Sequence, residues 1–313
     1  MAHEVETMAY AGETPWHGLG VPVLNDLTPD QMLVKAGLDW TVDKIPAFVR
    51  IGEQLVPTGQ SALVRSSDNK ILSNISEDWN PVQNHTAFEF FKDFVDAGDM
   101  EMHTAGSLKE GKNVWALAKV KDSFEILGGD RVDSYLLFTN PHQFGKSIDI
   151  RFTPIRVVCN NTLTLSLNQK VDNQINMSHR NEFNPDAAKL ALGVAAEKLA
   201  KYKEMAKFLG SKFYKADDLI SYFNSVFPMT SNAKNDETKL SKNAKACFDV
   251  LDTQPGAEYA RGSWWQAFNA VTYLCDHHLG RDQDTRVYNS WYGTTKDKKN
   301  LALANAIEHA EAA

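Results

Sequence analysis

The stretch that decides the fold is EMHTAGSLKEGKNVWALAKV (residues 101–120), followed by SYLLFTN (134–140) and SIDIRFTPIRVVCNNTLTLSL (147–167). Met102–Leu108 and Val114–Val120 flank Lys109-Glu110-Gly111-Lys112, a turn sequence. Tyr135–Thr139 is a third apolar run. From Ser147 to Val158, Ile148, Ile150 and Phe152 alternate with Asp149, Arg151 and Thr153. Alternation with period two predicts strands. Pro154 has no N–H to donate, so a bulge or bend is expected there. Asn160-Asn161-Thr162 carries side chains suited to an N-cap, which predicts a helix over TLTLSLNQK. The expected core is therefore β-β-β-α, in an α+β chain with an antiparallel sheet, helices on one face and a helical C-terminal region.

Upstream, residues 1 to about 65 are acidic. Glu4, Glu6, Glu13, Asp26, Asp30, Asp39, Asp43 and Glu53 outnumber Lys35, Lys44 and Arg50. Pro15-Trp16-His17-Gly18-Leu19-Gly20 reads as a turn-rich aromatic cluster. Thr28-Pro29-Asp30 opens a short helix, with Pro in its first turn and Gly37 beyond its end. WTVDKIPAFVR predicts a strand in which Pro46 favours an edge position or a bulge. SALVRSSDNKILSNI (61–75) predicts a hairpin. A helix starting at Asn84 or Thr86 is expected through TAFEFFKDFVDAG (86–98), with Phe88, Phe91, Phe94 and Val95 on its core face.

Downstream, Pro185–Leu209 has strong helix propensity, and Gly210 is the expected stop. Between 189 and 215, seven lysines against two glutamates give net +5 inside a chain of net −7. Further helices are expected over DDLISYFNSVF, NAKACFDVL, SWWQAFNAVTYLCDHHL and KDKKNLALANAIEHAEA. The expected division is an N-terminal segment (1–65), an α+β core (66–182) and a helical region (183–313).

Composition and motifs narrow the function. A net charge of −7 excludes polyanion binding by bulk charge, so any nucleic-acid surface is a local patch. Three dispersed cysteines, Cys159, Cys247 and Cys275, suggest reduced thiols. With neither a signal-peptide pattern nor an apolar run of the ~18 residues a membrane span needs, the expectation is a cytoplasmic, soluble protein (host cytoplasm for a phage-encoded chain) without membrane partners. Gly145-Lys146-Ser147 resembles the end of a phosphate-binding loop, but Asn140 stands where the first glycine belongs and a strand follows. Cys275, His277 and His278 sit too close together to share one metal, and a His pair at a helix C-terminus is the expected role. Cys159 reads as a small buried residue. No complete catalytic motif is present, so the expectation is a non-enzymatic protein with no cofactor and no metal.

Basic residues Lys112, Lys119, Lys121, Arg131, Lys146, Arg151 and Arg156 lie on or beside the predicted sheet, with Trp115, Phe144 and Tyr135 nearby. Bases can stack on aromatics while Lys and Arg hold the backbone, as single-strand binders do.

Several blocks also carry a family resemblance. They are Pro15-Trp16-His17-Gly18-Leu19-Gly20; Ala105-Gly106-Ser107-Leu108 with Gly111 and Val114-Trp115-Ala116-Leu117; Arg156-Val157-Val158-Cys159-Asn160-Asn161-Thr162-Leu163; and Asn269-Ala270-Val271-Thr272 with Asp276-His277. They resemble the phage/plasmid-like protein family that carries the domain of unknown function numbered 932. The β-β-β-α core followed by basic helices is similar to that of Rad52-type and Red-beta-type single-strand annealing proteins. That resemblance implies single-stranded DNA as partner, strand annealing in homologous recombination, and a homo-oligomer in ring or filament form. The expected phosphate contacts are Lys112, Lys119, Arg151, Arg156, Lys203 and Lys207. One alternative is an interaction protein of a phage or plasmid, a host-takeover or anti-defence factor, docking through its acidic N-terminal segment and Trp264-Trp265. Another is an enzyme acting on nucleotides or nucleic acid, with His17 or His103 essential.

Overall fold

The computed structural model describes residues 5–12, 19–126, 128–156, 161–162, 174–229, 240–280 and 286–312. The strands are β1 (Val5–Ala11), β2 (Val21–Val23), β3 (Val42–Ile51), β4 (Gln54–Arg65), β5 (Ile71–Ser76), β6 (Met100–Leu108), β7 (Asn113–Glu125), β8 (Arg131–Pro141), β9 (Ile148–Arg156), β10 (Asn161–Thr162) and β11 (Gln174–Met177). The helices are α1 (Pro29–Lys35), α2 (Asn84–Glu89), α3 (Lys92–Asp96), α4 (Pro185–Ser211), α5 (Ala216–Val226), α6 (Lys242–Leu251), α7 (Trp264–Tyr273), α8 (Arg286–Tyr292) and α9 (Thr294–Ala312). The fold is α+β.

One sheet has the order β10-β9-β8-β7-β6-β1-β2, with β11 also paired to β9; a second has the order β3-β4-β5. The chain forms two compact units. The first comprises Met1–Lys121, Tyr135–Phe152 and Gln174–Gly193; the second comprises Asp122–Ser134, Thr153–Asn173 and Val194–Ala313.

In the first unit, β6 and β7 are antiparallel across the expected turn, where Lys109, Glu110 and Gly111 all take positive φ. The N-terminal segment supplies β1, which pairs antiparallel with β6 and parallel with β2. The approach of β1 is close at Gly106, where a Cβ would stand 2.3 Å from the Thr7 carbonyl oxygen. Thr28 caps α1: its Oγ1 accepts from the Gln31 N–H, and the Gln31 side chain accepts from the Thr28 N–H.

Residues 86–98 do not form one helix. The chain breaks between α2 and α3, and Phe88, Phe90 and Phe91 are all buried. Adjacent residues on a helix diverge by ~100°, and the break accompanies burial of Phe90 beside Phe91. Phe90 and Phe91 meet Phe138 of β8 at ring distances of 5.4 and 6.1 Å.

The segment Trp79–Asn84 is the spine of a buried polar cluster. The Asn80 N–H donates to the His179 carbonyl, and His179 Nδ1 lies 3.1 Å from the Asn80 carbonyl oxygen. Asn140 donates to the Val82 carbonyl at 2.8 Å. His142 Nε2 meets Asn84 Oδ1 at 2.9 Å, and Asn84 Nδ2 donates to the Leu38 carbonyl. Burial, with a smaller contribution from nearby His179, pushes the His142 imidazole down to about 3. Burial likewise pushes His179 down to about 4, against the opposing effect of its bond to Asn80.

On its outer edge β9 pairs with β11 at Ile148–Arg151 and with β10 at Ile155–Arg156. The two partners stand either side of Pro154, the residue with no N–H to give. Asn161-Thr162 is a strand, which corrects the expected N-cap at those two positions. The helix expected over TLTLSLNQK, Cys159 and the Pro15–Gly18 part of the aromatic turn lie outside the described residues. Ile148 directly follows Gly145-Lys146-Ser147 as strand, as expected.

In the second unit α4 runs through Gly210 to Ser211, so Gly210 is no stop. Helix α7 is buried on every side from Trp264 to Thr272, as befits the central helix of a core. Trp265 donates to Asp130 Oδ2 at 2.9 Å. A π-turn, Leu274–His278, continues α7 and carries Asp276 inward. Lys299 of α9, fully buried, donates to Asp276 Oδ1 at 2.7 Å and to Ser290 Oγ at 3.0 Å; the Ser290 hydroxyl also bonds to Asp276.

Candidate nucleic-acid interface

Three of the six expected phosphate contacts, Lys112, Lys119 and Arg151, fall in the first unit and do not converge there. Lys112 ends the β6–β7 turn and Lys119 lies seven residues on, roughly 20 Å away by strand rise. Lys119 stands opposite Glu101 in the β6–β7 register. Arg151 has an 11% exposed side chain and pairs with Asp149 at 3.6 Å. The aromatic partners expected on this sheet are also unavailable: Trp115 and Tyr135 are buried, and only Phe144 is exposed. His103 packs edge-on against Tyr135 at 5.0 Å. Arg156 is the last residue of β9, and its side chain lies outside the described set.

The second unit holds Lys203 and Lys207 together on α4. They are one helical turn apart, ~6 Å along the axis. The Lys203 ammonium lies 6.0 Å over the ring of buried Phe124, which holds its stem against the protein. Lys207 is 43% exposed and pairs with Glu204 at 3.7 Å. An exposed i,i+3 pair of this kind is worth at most ~1 kcal/mol, so a phosphate can displace it.

Helix α4 leads into Lys212-Phe213-Tyr214-Lys215, where the site has its most distinctive side chain. Phe213 is 66% exposed. Two backbone bonds clamp this turn to the start of α7: Trp264 N–H to the Lys212 carbonyl at 2.9 Å, and Tyr214 N–H to the Gly262 carbonyl at 3.0 Å. The clamp brings the Phe213 ring onto Gly262, where a Cβ would lie 3.4 Å from ring carbon Cδ1. Gly262 itself has φ +79°, a conformation glycine adopts without strain.

Gln266 anchors the clamp from beneath. Its Oε1 accepts from the Gly262 N–H at 2.7 Å and the Tyr214 hydroxyl at 2.8 Å. Its Nε2 donates to the Leu251 carbonyl at 3.0 Å and Asp252 Oδ1 at 2.9 Å. All four hydrogen-bonding positions of the amide are used. Lys212 and Lys215 flank the ring in sequence, and exposed Arg261 precedes Gly262. The Lys212 ammonium lies 5.7 Å over the Phe208 ring. Asp218 is turned back to the chain, accepting from the Lys215 N–H at 3.4 Å.

The result is an exposed aromatic ring on a turn that also carries Lys212 and Lys215, with Arg261 next to the glycine it packs on. The ring offers a π-face, and the cations offer phosphate neutralisation. A model for the Domain of unknown function (DUF932) matches residues 71–307, a span that contains the whole clamp. The chain belongs to the DUF932 family. No curated protein and no solved structure matches this DUF932 chain.

The DUF932 match also contains Asp276 and the α7 core. Trp264 and Trp265, expected as docking residues, are both fully buried and belong to that core. Tyr273 packs against the His277 and His278 rings at 4.7 and 5.2 Å. Cys275 is buried beside Asp276, and burial pushes its thiol up to about 12. No group of three metal-ligating side chains occurs among the described residues. Nor is any helix among them long and apolar enough to cross a membrane.

Proposed function

We propose that this DUF932 protein binds single-stranded DNA and promotes strand annealing, working as a homo-oligomer in the cytoplasm in a phage or plasmid setting. The observation that carries the reading is the exposed Phe213 ring, packed on Gly262 in a turn whose sequence neighbours are Lys212, Lys215 and Arg261. Single-strand binders that ignore sequence combine an aromatic stacking platform with a basic track, and every base has a π-face to offer. Lys203 and Lys207 extend that track along α4. The sheet cations Lys112, Lys119 and Arg151 are dispersed or paired with acids and are secondary in this reading. Annealing requires two strands to be presented at once, which fits an oligomer better than a monomer. The reading needs neither cofactor nor catalytic residue. Fluorescence anisotropy of a labelled short single strand at ~50 mM salt, where phosphate contacts are strongest, tests it directly.

A further inference from the structure

Three strand-to-strand turns of the first unit come together: 66–70 between β4 and β5, 109–112 between β6 and β7, and 142–147 between β8 and β9. The last is tied to its neighbours through the backbone. The His142 N–H donates to the Lys112 carbonyl at 2.8 Å, and the Phe144 N–H donates to Ser73 Oγ of β5 at 3.1 Å. The turn at 66–70 joins the one at 109–112 through the Lys70–Glu110 ion pair at 2.7 Å. Within 142–147 the Lys146 N–H donates to the Gln143 carbonyl at 3.2 Å, and Gly145 takes φ +76°, which the third residue of a tight turn accepts most readily as glycine. On this fixed backbone the Phe144 side chain is 54% exposed.

The charges around that ring suit a polyanion. The acids of the three turns are Asp68 and Glu110, and both are already engaged: Asp68 by Arg65 at 2.6 Å, Glu110 by Lys70. The turn that carries Phe144 has no acid of its own. Lys112, whose carbonyl holds His142, and exposed Lys146, two residues beyond Phe144, have no ion-pair partner among the described residues. Lys112 is thus set apart from Lys119 and Arg151 on the sheet and brought instead beside the Phe144 turn. Gly145-Lys146-Ser147 makes no phosphate loop, because strand β9 follows it, but Lys146 still supplies a cation there.

We propose that these turns form a second site for single-stranded DNA, with a base stacked on Phe144 and backbone phosphates against Lys112 and Lys146. An exposed ring beside unpaired cations is the combination that sequence-tolerant strand binding uses. The site is the weaker of the two, because it offers Lys112 and Lys146 where the other offers Lys203, Lys207, Lys212, Lys215 and Arg261, and each phosphate neutralised adds to affinity. The inference deepens the proposed function and rests on its ligand, single-stranded DNA. Annealing needs two strands at once, and a second site lets each chain hold both.

Isothermal titration of the full chain with a thymidine oligomer of about six nucleotides, short enough to fill one site at a time, tests it at ~50 mM salt. The wild type is expected to show a tighter and a weaker class of site. Phe144→Ala/Lys146→Gln, at exposed positions, is expected to weaken the second class by at least roughly 5- to 150-fold, the range of one lost stack, and to leave the tighter class and the circular dichroism spectrum unchanged. Phe213→Ala is expected to weaken the tighter class and spare the other. Phe48→Ala, at another exposed ring of the first unit, is expected to leave both as in the wild type. A single class in the wild type, or a Phe144→Ala/Lys146→Gln isotherm like that of the wild type, overturns the inference. A strand of the same length without bases that fills the weaker class equally well also overturns it, because the ring would then not be stacking. A single class lost on Phe213→Ala would leave the proposed function standing without the second site, whereas no binding by the wild type would remove both.

Discussion

The Phe213 ring lies on the backbone of Gly262, close enough that a single added carbon there would sit 3.4 Å from it. That contact is made at the protein surface, where an apolar ring gains little from folding. Phe213→Ala should therefore leave the unfolding midpoint almost unchanged, because the side chain is 66% exposed. The same change should weaken binding of a short single strand by roughly 5- to 150-fold, the range of one lost base–aromatic stack. Anisotropy and chemical denaturation on the same samples check the two halves.

Gln266 supports that ring without touching a ligand. Gln266→Leu would leave the Gly262 N–H and the Tyr214 hydroxyl without their acceptor. A loss of about 2 kcal/mol in stability is expected, the low end of about 1–3 for each unsatisfied group, because both bonds are only part-buried. Single-strand affinity should fall with it. Urea denaturation alongside anisotropy reads both.

Asp276 and Lys299 make the opposite kind of contact, a charged pair shut off from solvent on the π-turn and α9. Lys299→Met alone strands a buried carboxylate and should cost about 3–5 kcal/mol. Replacing both, Asp276→Leu with Lys299→Met, should recover most of that loss. Denaturant midpoints of the two single variants and the double close the cycle.

Two buried histidines give the protein a pH signature. His142 and His179 titrate near 3 and 4 in the folded chain and near 6.5 when unfolded. Between those limits the unfolded state binds more protons, so stability is full above about pH 6.5 and falls as the pH drops toward 4. Two protons give a slope of about 2.7 kcal/mol per pH unit in that window. His142→Asn, whose amide can still donate to Asn84, should reduce the slope by about half. Urea unfolding at a series of pH values between 6.5 and 4.5 measures it.

Much of the fold is legible in the chain because the signals are local. The period-two runs of β6 to β9, the Thr28–Gln31 capping box, the SSDNK turn between β4 and β5 and the bulge at Pro46 each depend on neighbours in sequence. Strand β1 is not legible: VETMAYA lacks alternation, and its place is set by β6, about a hundred residues away. The break between α2 and α3 follows from where Phe90 must go, which no periodicity states. Sheet cations mislead for the same reason, since Glu101 faces Lys119 only through the β6–β7 register. Lys203 and Lys207 are visible as part of a lysine-rich helix. Phe213 is not, because the KFYK turn is fixed only by its backbone bonds to the start of α7. The burial of Trp264 and Trp265 likewise depends on helices that close around them.

The central claim is that DNA lies along the α4–Phe213 track through phosphate contacts. A salt titration of single-strand binding by the full chain tests it most directly. For the wild type, log Kd should rise linearly with log salt, with a slope of about 0.7 per phosphate neutralised. Changing Lys203, Lys207 and Lys212 together to Gln should lower that slope by about 2. Failure of the wild type to bind at ~50 mM salt, or an unchanged slope in the triple variant, would contradict the account.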